Sequence, residues 1–243
     1  MEQKWDFKSS DGAAIYGVKN SVAAADAAIF MVHGLMCNMY EYAFKRAADY
    51  FERDYDVYRF NLYDGRDGAR CLNDCSLTTH ANDLIDVLNS FSREYKKVFL
   101  IGHSYGGTAV MLANIKGVTA VSLWDPSYDL TRTQKAFSKK HVEERDLYSL
   151  NRGISQLLGK GMFEQAGSLT QEACEALSSE FQSPVQVLSA ENAMCAKDKD
   201  SFHSYCAHPS VREVIKGADH YFREGNSCDI LLEKTEEWFR RFL

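Results

Sequence analysis

The chain has 243 residues, a formal net charge of −6, and 45% hydrophobic, 12% aromatic and 26% charged residues. Those proportions exclude a disordered chain, a collagen and a coiled coil. No apolar run reaches the roughly 20 residues needed to span a bilayer. The largest basic clusters are Lys139-Lys140 and Arg240-Arg241, too small for the basic face that nucleic-acid binding needs.

Seven cysteines are present: Cys37, Cys71, Cys75, Cys174, Cys195, Cys206 and Cys228. An odd number leaves a thiol unpaired in a monomer. The Met-Glu-Gln-Lys-Trp-Asp start has no apolar signal region, so a reducing cytoplasm is the expected location.

In chain order, Lys4–Ser9 and Ala14–Lys19 flank Asp11-Gly12 and predict a hairpin. Ala27–Val32 is a continuous apolar run, as in a strand covered on both faces. It ends at His33-Gly34. Residues 40–52 place Ala43, Phe44, Ala47, Ala48 and Phe51 on one helical face. Val57–Phe60 is the next strand, followed by a Gly- and Asp-rich loop, Tyr63–Leu77. Thr78–Tyr95 is a helix and Val98–Ile101 a buried strand. Gly102–Gly107 follows at once, then a helix through Ile115. Val118–Trp124 is a strand that Asp125-Pro126 stops.

Residues 127–183 break the alternation. They read as a mostly helical cap inserted over the site, within a single domain spanning 1–243. Pro184–Ser189 and Val211–Lys216 are further strands, and Cys228–Leu243 is a closing helix. Alternating strands and helices predict an α/β fold, a mainly parallel sheet with helices on both faces. Reactive residues then gather at the carboxyl ends of the strands.

Gly102-His103-Ser104-Tyr105-Gly106-Gly107 contains G-x-S-x-G between an apolar strand and an apolar helix. That context makes Ser104 a nucleophile on a strained turn, its oxygen exposed at the sheet edge. The helix start behind it favours developing negative charge. Together with His33-Gly34 and Gly217-Ala218-Asp219-His220, the sequence resembles the α/β-hydrolase superfamily, among its serine esterases, lipases and thioesterases. The resemblance covers about residues 20–126 and 184–243.

The resemblance implies an oxyanion hole made by the backbone N–H groups of Leu35 and Tyr105. Neutral serine needs an adjacent base. Chain order in this fold selects His220, after the last strand, over His33, His80, His103, His141, His203 and His208. The acid is less determined. Aligning strand ends puts Ala193 where most relatives carry it. Asp125 ends the previous strand and is favoured. Glu191 in the next turn stays open, as do Asp198 and Asp200. A helix N-cap is the alternative role for Asp125.

The expected activity is hydrolysis of a small carboxylic ester through an acyl-enzyme, with no cofactor. A thioesterase or acyltransferase with the same triad is the alternative. A non-catalytic ligand-binding protein of this fold is the alternative from another class. Cys71, Cys75 and His80, and Cys195 with His203, Cys206 and His208, have zinc-like residue types but not a paired C-x2-C spacing. Asp64 and Asp67 lack calcium-loop spacing. Phe137, Tyr148 and Phe163 line an acyl pocket or form the core of the cap.

Overall fold

Strands β1 (Glu2–Lys8) and β2 (Ala14–Asn20) pair antiparallel from Lys8–Ala14 outward. Gly12 closes their turn at φ +91°, a conformation glycine adopts without a Cβ clash. The computed structural model describes residues 2–21, 25–142, 147–151, 155–193 and 202–243.

The remaining strands in chain order are β3 (Ala27–Val32), β4 (Asp56–Phe60), β5 (Lys97–His103), β6 (Ala120–Trp124), β7 (Phe137–Val142), β8 (Leu147–Asn151), β9 (Ser155–Gly159), β10 (Val185–Ala190) and β11 (Ser210–Ile215). The helices are α1 (Tyr42–Phe51), α2 (Leu77–Phe91), α3 (Tyr105–Ala113), α4 (Thr131–Ala136), α5 (Lys160–Ser168), α6 (Gln171–Glu180) and α7 (Ser227–Arg240). The main sheet has eight strands in the order β1-β2-β4-β3-β5-β6-β10-β11. From β4 onward every neighbouring pair is parallel.

The apolar runs of β3 and β5 serve two cores at once. Phe30, Val32 and Leu100 pack with Leu84 and Leu88 of α2 and Val110 of α3. Ile29, Met31, Phe99 and Ile101 face the other way, against Phe44 and Phe51 of α1 and Leu231 and Phe239 of α7. Each fully buried aliphatic or aromatic side chain contributes roughly 1.5–3 kcal/mol. Double-sided burial therefore fixes the central strands, and with them the rim where their carboxyl ends meet.

Among the described residues of 127–183 more are helical than extended, as expected, but the segment also holds strands that the sequence did not suggest. Helices α4, α5 and α6 are present, but β7, β8 and β9 form a separate three-stranded antiparallel sheet. Leu158 is fully buried while Leu157 is 47% exposed, the alternation of a strand. Short apolar pairs such as Leu157-Leu158 fit either period, and pairing between distant segments decides the outcome.

The insertion packs on the carboxyl rim. Thr78 N–H at the start of α2 donates to Gln165 Oε1 at 2.9 Å. A Cβ on Gly159 would lie 1.8 Å from Asn73 O, so β9 runs hard against the turn before α2. Leu158, Met162, Ala166 and Leu169 share a core with Leu35 and Tyr105. Among the described residues, no helix is long and apolar enough to cross a membrane.

Candidate active site

Ser104 sits between β5 and α3 at φ +54° and ψ −121°. Such backbone costs a non-glycine residue of order 1–3 kcal/mol and persists only where packing enforces it. Here the enforcement is visible. Ser104 N–H donates to Trp124 O at 3.0 Å, and Ser104 O accepts from Gly107 N–H at 3.0 Å and Ser127 N–H at 3.1 Å. A Cβ on Gly106 would lie 2.1 Å from Val32 O, so only glycine lets α3 approach β3 this closely.

Asp125 follows β6, also with positive φ, +40°. Its backbone N–H donates to Leu188 O at 2.7 Å. Its side chain, 3% exposed, crosses to the end of β10, where Oδ1 accepts from Ala190 N–H at 3.1 Å. Oδ2 lies 2.5 Å from His220 Nδ1. The nearest helix, α4, begins only at Thr131, so Asp125 does not act as an N-cap. His220, in the loop after β11, keeps its side chain 25% exposed.

The loop after β3 completes the rim. A Cβ on Gly34 would lie 2.9 Å from Ser104 Cβ and 3.5 Å from its Oγ. His33 is fully buried, and burial pushes its imidazole below the ordinary value. Its Nε2 accepts from Leu62 N–H at 3.1 Å. The proton is thereby assigned to Nδ1, which donates to Gly34 O at 2.8 Å. Tyr63 Oη–H donates to the same carbonyl at 3.3 Å. In a trans peptide the N–H points opposite to the C=O. Pinning Gly34 O thus fixes the direction of the Leu35 N–H, which has no acceptor among the described residues.

Of the sequence-predicted site residues, Ser104, Tyr105, Asp125, His220 and Leu35 lie on this one rim. Glu191 does not contact His220. Its Oε2 accepts from Gly217 N–H at 2.8 Å on the exposed side of the turn. Ala193 is buried, at 7% exposure. Asp198 and Asp200 lie outside the described residues, as does Cys195. Cys71, Cys75 and His80 do not converge as ligands; among the described residues only Cys37, Glu41 and His103 do. Cys75 Sγ–H instead faces Cys71 O and Leu62 O, while Cys71 is exposed. Tyr148 and Phe163 stack on each other at 4.0 Å between ring centroids. The side chain of Phe137 lies outside the described residues.

Ser127, Thr108, Tyr63 and Glu41 were not singled out by the sequence reading. Ser127 Oγ lies 3.4 Å from Ser104 Oγ, and Thr108 Oγ1–H fixes Ser127 by donating to its carbonyl at 2.6 Å. Tyr63 holds the β3–α1 loop. Glu41 lies 3.1 Å from His103 Nδ1, both nearly fully buried. Burial opposes a charge on His103, but the Glu41 carboxylate and Cys37 raise it well above the ordinary imidazole value. His103 Nε2–H donates to His220 O at 2.9 Å, so the residue before Ser104 holds the loop of His220. Only the adjacency of His103 to Ser104 hinted at such a role.

Residues 29–224 match the model of the Alpha/beta hydrolase family. A search of curated proteins by sequence found no match. Among solved structures, Est1E from Butyrivibrio proteoclasticus, with ferulic acid bound, aligns with TM-score 0.80 at 15% identity over 96% of each chain. The esterase domain of a Rhodothermus marinus protein aligns with TM-score 0.77 at 17% identity, over 100% of this chain and 99% of that one. The mouse alpha/beta hydrolase domain-containing protein 10 aligns with TM-score 0.79 at 15% identity, over 99% and 100%. At such identities these likenesses concern the fold.

Proposed function

Because the chain belongs to the alpha/beta hydrolase family, we propose that it is a serine hydrolase acting on a carboxylic ester. The observation that carries this reading is the 2.5 Å contact of Asp125 Oδ2 with His220 Nδ1, on the rim that holds the strained Ser104. A carboxylate there accepts the Nδ1 proton and leaves Nε2 as the base. Ser104 Oγ then attacks the ester carbonyl while its proton passes to Nε2. The tetrahedral oxyanion takes hydrogen bonds from the amides of Leu35 and Tyr105. Collapse expels the alcohol, which receives the proton from Nε2. Water, deprotonated by His220, then cleaves the acyl-enzyme and restores Ser104.

Each oxyanion donor is worth about 10²–10³ in turnover when it is fixed in advance. The pinned Gly34 carbonyl supports such fixation for Leu35. The insertion, packed against residues 73–78, is the proposed wall of the acyl pocket.

A fluorophosphonate probe on the parent and on Ser104→Ala, followed by an ester panel varied in acyl length with thioesters included, tests the reading. The expected result is labelling of Ser104 and turnover of at least one ester class. No labelling and no turnover would leave a ligand-binding protein. Turnover of thioesters alone would move the assignment to a thioesterase.

A further inference from the structure

Beside the rim lies a group of reactive side chains that ester hydrolysis does not use. Cys37 follows the turn after β3, Glu41 directly precedes α1, and His103 ends β5. We propose that Cys37 Sγ, a Glu41 carboxylate oxygen and His103 Nδ1 bind one divalent transition-metal ion of the zinc class, behind the loop of His220.

The three ligand atoms lie within 4.8 Å of one another. The His103–Glu41 separation of 3.1 Å is close to the spacing of about 3.3 Å that tetrahedral bonds of about 2.0–2.1 Å impose on two ligands. The proton of His103 is committed to Nε2, because the partner there is the carbonyl oxygen of His220. Nδ1 then turns a lone pair toward a carboxylate unless a cation lies between them. A second proton is one such cation. That proton would be poorly aligned: His103 Nδ1 and Glu41 Oε1 stand 3.1 Å apart, yet neither Nδ1 nor either Glu41 oxygen meets hydrogen-bond geometry. Three buried or half-buried ligand atoms of these types, gathered within 4.8 Å, suit a metal ion.

Glu41 also stands where an N-cap would, yet makes no capping hydrogen bond with its side chain. It turns into the cluster instead. The Nε2–H of His103 on a backbone carbonyl is the second contact that orients a metal-bound histidine. Access exists on the other side, where Cys37 lines an open cavity of about 530 Å³ together with Asn38, Tyr40, Asn61 and Tyr63. A water from that cavity supplies the fourth ligand. The mixed thiolate, imidazole and carboxylate set favours zinc over calcium and magnesium, which take oxygen alone, and over the softer cuprous ion. Binding releases the proton of the Cys37 thiol.

The test is independent of hydrolysis. Chelator-treated protein is titrated with Co²⁺, read by its absorption, and with Zn²⁺, read by calorimetry. Parent, Cys37→Ser, Glu41→Gln and Cys71→Ser are compared, with circular dichroism to check folding. One equivalent should bind to the parent with a thiolate-to-cobalt charge-transfer band. Cys37→Ser should lose the band, and Glu41→Gln should bind at least about 100-fold more weakly. Cys71→Ser, on an exposed thiol, should match the parent. Zinc at 100-fold over its Kd should raise the parent Tm by about 5–11 °C and leave that of Cys37→Ser unmoved. Absence of stoichiometric binding overturns the proposal and leaves a charged His103–Glu41 pair. A band of parent strength in Cys37→Ser also overturns it. Should that variant not fold, X-ray absorption on the zinc-loaded parent decides: one sulfur neighbour supports the site, and nitrogen and oxygen neighbours alone refute it.

Discussion

Replacing Asp125 by Asn tests the proposed triad at its most specific contact. The carboxylate accepts two hydrogen bonds, from Ala190 N–H at Oδ1 and from His220 Nδ1–H at Oδ2. An amide has one oxygen and one NH2. If its oxygen keeps Ala190 N–H, its NH2 faces His220, and Nδ1 must become the acceptor. The proton then moves to Nε2, and the base toward Ser104 is lost. The flipped amide would set NH2 against Ala190 N–H, leaving a buried donor unpaired at about 1–3 kcal/mol. The wrong tautomer is therefore the favoured one. The expected loss is on the order of 10⁴ in kcat, or about 5.4 kcal/mol of transition-state stabilisation. The backbone should tolerate the change, because Asn accepts the left-handed region that Asp125 occupies at φ +40°. The assay is steady-state hydrolysis of one nitrophenyl ester, with Tm recorded on the same samples. Activity within about 10-fold of the parent at unchanged Tm would refute the tautomer argument.

Ser104→Ala should keep its fold and lower turnover by about 10³-fold or more; a variant with near-parent turnover would remove Ser104 from the mechanism. Ser104→Gly should melt several degrees above Ser104→Ala, because only glycine is unstrained at φ +54°; the relief is about 1–3 kcal/mol at about 2–4 °C each, and equal Tm values would count against stored strain. Glu191→Gln should stay within about 2–3-fold of parent activity, since its exposed contact to Gly217 N–H survives as an amide oxygen; a severe loss would reassign the acid. Burial drives the His80 imidazole down to about 3 from 6.5. The unfolded chain takes up that proton first, so the stability is present above pH 6.5 and drains away as pH falls toward 3. At pH 4 the loss is of order 3 kcal/mol. His80→Leu should therefore show a smaller fall in Tm between pH 7 and pH 4 than the parent, and parallel curves would contradict this.

The sheet was legible because each central strand announces itself by a two-sided apolar run. Ala27–Val32 carries its destination in composition alone. The glycines around Ser104 are also visible in a short window, although what requires Gly106 is a long-range backbone contact with Val32. The strands of the insertion were not legible, because their pairing joins segments whose local pattern also fits a helix. The carboxylate that meets His220 was only half legible. Sequence shows that Ala193 vacates one position and that Asp125 ends the neighbouring strand. It does not show that the Asp125 side chain crosses to β10 and meets Ala190 N–H.

That crossing depends on backbone conformation. Among the described residues, six non-glycine positions have positive φ. Four of them lie in the loops that build the rim: Met36 after β3, Ser104 after β5, Asp125 after β6 and Phe222 after β11. Only Asp among these residue types is enriched in that region. Local preference would straighten the other three, at a gain of order 1–3 kcal/mol each. Long-range contacts hold the conformation at two of the four: Trp124 O fixes Ser104 N–H and Leu188 O fixes Asp125 N–H. Phe222 is itself fully buried against α7. Such contacts exist only once the sheet has assembled. A site built this way is specified by the whole fold: the window around Ser104 displays the serine but not the distant contacts that hold its backbone. The same dependence explains how a side chain that follows β6 places its carboxylate at the end of β10. An altered φ at Asp125 and one hydrogen bond to Ala190 return the charge to the same rim from the adjacent strand.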